Sequence, residues 1–447
     1  MKRCFLCLLL VAFAGANPCS TTRADEASPS LAPRPEEGQL PHAMHSSMKE
    51  RPVVRVGSRS GDILGADNRA LQAAVDYVGA LGGGTVEIGE GTYLMRDSIH
   101  LRSHVTLRGQ GEKTVLLKAP AAVSPLALDG DFGEEQVTVK DPGGFQVGDG
   151  VAVWDSGAGG FHTTVARITG KSGSSFSISR PLNADCMVAN KAQAATVFPV
   201  ISGYDIEDAR IESLTVDGSS GKNVHLNGCR GAGIFLYRGF GTVIEKCLVR
   251  DYNGDGISFQ QSNDVKVLGS TSEKNTSLGI HPGSGSQRPV VRGCVARQNG
   301  GDGLFLCWRV RHGLFEENQL VQNGGFGISI GHKDSDNLLK KNIVRENARH
   351  GVYFRDEAEG MAGHRNRFEE NIVENNGHSP DAAGIMIDGE TQGVALKGNT
   401  IRETRQGEAR TQRTAIRIGK KAGDVAIEEN KIEAEKEVDD LREKGKR

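Results

Sequence analysis

Aromatic side chains are scarce in this chain, only 5% of 447 residues with just two tryptophans, and proline is rarer still at 14 residues. Neither sign of charge is in excess: 54 Lys and Arg stand against 56 Asp and Glu, a net charge of −2. That balance excludes the strongly basic surface that nucleic acid or an anionic membrane requires. Beyond the first sixteen residues no apolar run approaches the roughly twenty residues of a membrane-spanning helix, so no membrane insertion is expected. What is abundant is glycine, 59 residues, beside an ordinary 37% hydrophobic fraction. Glycine without proline, with apolar residues enough for a large core, points to many tight turns rather than to disorder.

The first residues, "MKRCFLCLLLVAFAGA", place Lys2 and Arg3 before an apolar run that ends in Ala14-Gly15-Ala16. This pattern predicts a secretory signal over 1–16, hence a secreted or periplasmic protein. A lipoprotein would use Cys19, but Pro18 fits that motif poorly. Residues 17–50, rich in Pro, Ser, Ala and charge, read as a disordered leader.

Glycines followed by a β-branched residue or Leu fall at 233, 256, 279, 303, 327 and 351, spaced by 23, 23, 24, 24 and 24, with Gly384 and Ala415 as a looser continuation. Such a period means an array of stacked units. The segments after each glycine ("GISFQ", "GLFLC", "GISIG", "GVYFR") alternate with period two, which excludes helical repeats. Asparagines recur in two columns, Asn318, Asn342 and Asn371 in one, Asn275, Asn299, Asn323 and Asn347 in the other. Asn tolerates the left-handed conformation of tight corners, and its amide can bond the same amide one coil away. The fold class expected is therefore all-β, a right-handed parallel β-helix with coils ~4.8 Å apart. Cys247 and Cys294 fall in the Asn318 column two coils apart, roughly 10 Å and too far to bridge. Cys229 is assigned to the Asn275 column.

The ends differ from the array. "DNRALQAAVDYVGALGGG" predicts a helix capped near Asp67 and ended by Gly82–Gly84, plugging the N-terminal end of the β-helix. Residues 51–132 read as this cap and the first coils, 133–183 as a small β insertion, 184–430 as coils, and 431–447 as a charged tail in the form of a frayed helix. "GGGTVEIGEGTYLM" and "SHVTLRGQGEKTVL" resemble the start of the pectate-lyase-like superfamily of β-helix proteins.

Counting from each repeat glycine, positions +1 and +3 are apolar and face inward. Position +2 then faces out, as Ser258, His281, Phe305, Ser329 and Tyr353, and position +4 as Gln260, Gly283, Cys307, Gly331 and Arg355. The corner beyond adds Trp308, His332 and Asp356, then Arg309, Lys333 and Glu357; the corner before adds Asp255, Asp302 and His350. This is a ridge about four coils tall, bearing acids, bases and exposed aromatics, suited to an extended acidic polysaccharide. Gly283 and Gly331 read as open floor. The flanking Phe235, Met386 and Arg417 show no comparable mixture.

Proton abstraction at C5 of a uronate needs a neutralised carboxylate and a base, and leads either to β-elimination or to epimerisation. His281, His332 and Lys333 are candidate bases and Tyr353 a candidate acid. Asp255, Asp302, Trp308, Arg309, His350, Arg355 and Asp356 are candidate substrate contacts. Asp255, Asp302, Asp334 and Asp336 are candidates for Ca2+, although no spacing here is diagnostic of a calcium site. The stretch "LGIHPGSGSQRPVVRGCVARQNGGDGLFL" resembles the catalytic coils of alginate C5-epimerases, which implies an acidic-polysaccharide surface. His281 stands at that family's Asp position and Gly283 at its His position, so the family's machinery is not retained. "NGDGI" and "GFGISIG" resemble segments of polygalacturonases, implying inverting hydrolysis through Asp255 and Asp302 as one alternative. A non-catalytic glycan-binding or structural β-helix is the other.

Overall fold

The structure is a computed structural model that describes residues 50–157 and 160–443. The expected signal segment and almost all of the leader lie outside the described residues. From Arg51 onward the chain opens with a strand, Val53–Gly57, and the helix Asn68–Ala80. The Asp67 carboxylate caps that helix by accepting from the backbone N–H groups of Arg69 and Ala70. Leu71, Ala74, Val75 and Val78, spaced at helical intervals, form its buried face. They join one continuous core running from Val54 to Ala422.

Each regular coil contributes three short parallel strands. Asp255–Gln260, Lys266–Leu268 and Thr271–Glu273 pair in register with Ile280–Gly283, Val290–Arg292 and Val295–Arg297 of the next coil. One strand per coil builds an 11-stranded sheet and the other two a 22-stranded sheet. Ile257, Phe259, Ile280, Leu304, Ile328, Val352 and Phe354 are fully buried between the sheets, as the period-two reading requires.

Asparagine ladders hold the corners. Asn299 donates from Nδ2 to Asn323 Oδ1 (3.0 Å), and Asn323 donates to Ala296 O (3.0 Å) and Asn347 Oδ1 (2.9 Å). The ladder continues through Asn376 to Gln412, and a parallel one runs from Asn318 through Asn342, Asn371 and Asn399 to Asn430. The left-handed corner residues are not the asparagines, however. They are the residues just before them, Gln298, Gln322 and Glu346, with φ of 55°, 57° and 55°. The asparagine is needed for its amide, which closes hydrogen bonds above and below at once.

Cys247 and Cys294 take the ladder position with Ser270 between them, and both are free thiols. Cys229 is not in a ladder. A 14-residue excursion between Asp217 and Ala232 carries it to the side of Asp255, and Tyr252 sits above Asn275 instead. The tail is not a frayed helix. Lys431–Glu433 and Lys436–Asp440 extend the two sheets, because the last coil would otherwise leave a row of unpaired backbone groups. The insertion is a six-stranded antiparallel sheet spanning Val123–Ala195, wider than the 133–183 expected, with its own core around Phe145, Val151, Ile168 and Phe176.

Asn323→Ala removes the Oδ1 that accepts both Asn299 N–H groups and the NH2 that donates to Ala296 O and Asn347 Oδ1. The expected cost is about 1–3 kcal/mol for each buried group left unpaired. Urea unfolding should show a midpoint well below wild type, whereas the exposed neighbour substitution Gln319→Ala should change it little.

Candidate functional site

The outward face of the 11-stranded sheet stacks Ser202, Phe235, Ser258, His281, Phe305, Ser329, Tyr353, Met386 and Arg417 in one column. A second column runs Tyr204, Tyr237, Gln260 and Gly283. The face is not an open ridge. Ser258, Gln260, His281 and Ser329 are buried, His281 with only 3% of its surface exposed.

A hydrogen-bonded chain crosses this floor. His281 Nδ1 lies 2.8 Å from Asp255 Oδ2, and Asp255 Oδ1 accepts the Leu278 N–H. Gln260 Nε2 donates to Ser258 Oγ (2.8 Å) and stands 3.5 Å from His281 Nε2; Ser258 donates to Gly228 O. A carboxylate can only accept and an amide NH2 can only donate, so Nδ1 carries the proton and Nε2 the lone pair. This is the tautomer a general base needs. Gln260 Oε1 is buried without a partner. The Gln260 amide occupies the space a Cβ at position 283 would fill, 2.4 Å away. Gly331 likewise makes room for the Arg355 guanidinium at 2.5 Å. Both glycines are therefore berths for a neighbouring side chain, not open floor.

Arg355 is not free to neutralise a substrate. Its guanidinium donates to Ser329 Oγ (2.9 Å) and Leu306 O (2.8 Å), pairs with Asp334 at 3.3 Å and approaches Glu357 at 3.7 Å. Burial pushes the Asp334 carboxyl upward and Arg355 pulls it back down. His332 is committed as well: Nε2 meets Glu357 Oε1 at 2.8 Å and Nδ1 meets Cys307 Sγ at 3.3 Å. Burial, then the Arg355 charge, hold the His332 pKa below the usual histidine value. Burial also raises the Cys307 thiol far above its ordinary range, which argues against it as a nucleophile.

Tyr353 lies three strands from His281, roughly 14 Å at the coil spacing, too far to serve as acid on the same bond. It belongs to a separate groove of about 400 Å3 with Phe326, His350, Arg349 and Asp388. Phe326 stacks on Tyr353 (4.6 Å) and on His350 (5.7 Å). His350 Nδ1 accepts the Ala383 N–H, and burial with the nearby Arg417 and Arg349 lowers its pKa to about 4. His350 is therefore a neutral aromatic platform at physiological pH.

Trp308 is 41% exposed and tilts against His332. Arg309 and Lys333 follow on successive corners, neither with an ion pair among the described residues. Asp356 pairs with Lys421 at the surface and Asp336 with Arg365. The four aspartates considered for Ca2+ do not converge, and among the described residues no group of three or more His, Cys, Asp or Glu is arranged for a metal. The sequence reading missed the N-terminal extension of the face. Tyr204 and Tyr237 pair directly yet stand 33 residues apart, so the 23–24-residue period hides them.

Asp302 is held by the Phe326 N–H at 2.7 Å and by Ser329, while burial raises its carboxyl to about 6. A carboxyl raised in the folded state costs stability as pH climbs from its unfolded value through its folded one. Asp302→Asn should therefore flatten the loss of stability between pH 4 and pH 6 in urea titrations. The Asp302 carboxyl carbon should titrate near 6 by NMR.

A family model described as right handed beta helix region matches residues 212–361. No curated protein matches the chain in sequence. Among solved structures, the A-module of the mannuronan C-5 epimerase AlgE4 from Azotobacter vinelandii is similar in fold, with a TM-score of 0.55 at 14% identity, over 87% of this chain and 98% of that one. The Dettilon tailspike protein is similar over 81% of this chain and 58% of its own, with a TM-score of 0.51 at 10% identity. The chain is thus a right-handed parallel β-helix, resembling in fold the mannuronan C-5 epimerase module.

Proposed function

We propose that the protein acts on an acidic polysaccharide laid across the 11-stranded face, with His281 abstracting the C5 proton of a uronate. The observation that carries this reading is the Asp255–His281–Gln260 chain, which leaves Nε2 unprotonated and backed by a carboxylate. The fold shared with a mannuronan C-5 epimerase module supports the substrate class. Abstraction moves the proton to Nε2 and leaves an enolate-like carboxylate, which needs nearby positive charge. Arg309 and Lys333, unlike Arg355, keep their charges uncommitted and fit that role. The electron pair then either expels the C4 oxygen, which takes its proton from solvent, or recovers a proton at C5. Phe326, Tyr353 and His350 supply ring faces for a sugar further along the chain.

A second reading, a glycan-binding protein without turnover, is favoured by the burial of His281 beneath Phe305, whose ring centroid lies 5.2 Å away.

The test uses purified protein with alginate, pectate, hyaluronan and heparinoids, following ultraviolet absorbance of unsaturated uronides, reducing ends, and C5 deuterium exchange by NMR. Absorbance rising with reducing ends, or exchange alone, is expected. His281→Ala should then lower turnover by about 10²- to 10⁴-fold with binding retained. Reducing ends without absorbance would move the assignment to hydrolysis through Asp255 and Asp302. Binding with no chemistry would establish the second reading.

A further inference from the structure

A second pocket, of about 220 Å3, lies where the insertion sheet meets the first coils. Its coil side carries Asp97, His100, Ser202 and Tyr204; its insertion side carries Arg167 and Arg180. Tyr204 is three strands from His281 on the same sheet, roughly 14 Å along the face. The pocket is therefore a continuation of the groove, roofed by a module the regular coils lack.

The charges inside it divide into two kinds. Asp97 is buried, and both Arg167 and His100 turn toward it, His100 at 3.1 Å. His100 also meets Ser202 Oγ at 3.2 Å. This cluster is internally satisfied and serves as a rigid wall. Arg180 differs. It is exposed, its guanidinium carbon sits 3.9 Å from the Tyr204 ring centre, and no carboxylate pairs with it among the described residues. The guanidinium lies over the Tyr204 ring and bonds its hydroxyl, and its remaining in-plane donors are open to a planar anion. Tyr204 in turn borders the half-buried Tyr237 (6.1 Å), whose ring is open to the apolar face of a sugar, while Phe235 (5.8 Å) is fully buried and backs them both.

We propose that this pocket is an anionic-sugar subsite, in which Arg180 binds the carboxylate or sulfate of one glycan residue while the chain continues down the face toward His281. The subsite rests on the reading that a glycan occupies this face, but not on any chemistry at His281. Because its cation comes from the insertion, the insertion is a part of the binding surface and not merely an ornament on the fold.

Calorimetric binding of uronate, sulfated and neutral oligosaccharides of equal length tests this without turnover. Arg180→Ala should weaken binding of the charged oligomers about tenfold or more and reduce the salt dependence of their affinity, with neutral oligomers unaffected. Arg180→Lys should fall between, since it keeps the charge but loses the fork. Arg367→Ala, on an exposed strand of the other sheet, should behave as wild type. A stronger loss for uronate than for sulfate assigns the carboxylate, and the reverse assigns the sulfate ester. Unchanged affinity in Arg180→Ala, equal losses for charged and neutral oligomers, or no binding of charged oligomers by wild type would each overturn the subsite. If His281→Ala leaves turnover intact while Arg180→Ala loses affinity, the catalytic assignment fails and the subsite stands.

Discussion

The stacked coils of this molecule depend on one constraint: the polar groups at each corner of a coil must be satisfied by the coil above and the coil below. A corner turns sharply, so its backbone cannot rely on sheet pairing alone, and the interior is too dry to supply water. The asparagine amide solves this because it is both donor and acceptor. In each rung its oxygen takes the backbone and side-chain N–H of the asparagine one coil before, and its NH2 donates both to a carbonyl of that coil and to the asparagine oxygen of the coil after. Gln412 and Asn430 end the two ladders, where the regular coils give way to the last strands. Once the corners and the inward apolar column are set, the outward positions are not held to one residue type by the coil, even where, as at Gln260 and Arg355, the side chain packs against its neighbours. That is why they vary from rung to rung.

The period, the inward column and the ladder membership could be read from sequence because each is a local repetition. Position parity alone correctly assigns Ile257 and Phe259 to the core and Ser258 and Gln260 to the other face. What could not be read is how outward side chains lie relative to one another. Gly283 and Gly331 look like vacancies along a strand, but across rungs they are the places where Gln260 and Arg355 lie down. Arg355 reads as a free cation because its partners, Asp334 and Glu357, come from different corners. The excursion before Ala232 and the Val123–Ala195 insertion interrupt the count, which removes Tyr204, Tyr237 and Arg180 from any periodic alignment.

The distribution of spent and unspent charge then gives the face a direction. In the C-terminal half, Arg355 is consumed by buried carboxylates and His332 by Glu357, so these groups hold corners rather than ligands. Positive charge remains available at the Arg309 and Lys333 corners, at Arg349 beside Phe326 and, beyond His281, at Arg180. On the reading proposed above, a polyanion would meet a buried floor in which the Asp255 carboxylate stands behind His281, with cations at the edges. Water is scarce at such a floor, so the effective dielectric is low and each edge cation acts over a longer range than it would in bulk.

That arrangement also bears on the role proposed for His281, a deeply buried imidazole, as the base of a proton abstraction. An imidazole on an open surface would be hydrated and free to turn, so its lone pair would point anywhere. Here Asp255 fixes one nitrogen, Gln260 faces the other, and Phe305 closes the ring edge. The Gln260 oxygen, one of the buried side-chain polar atoms left without a partner among the described residues, lies on this floor and is an acceptor for a ligand hydroxyl. The Gln260 amide holds Nε2 only through a long contact of 3.5 Å.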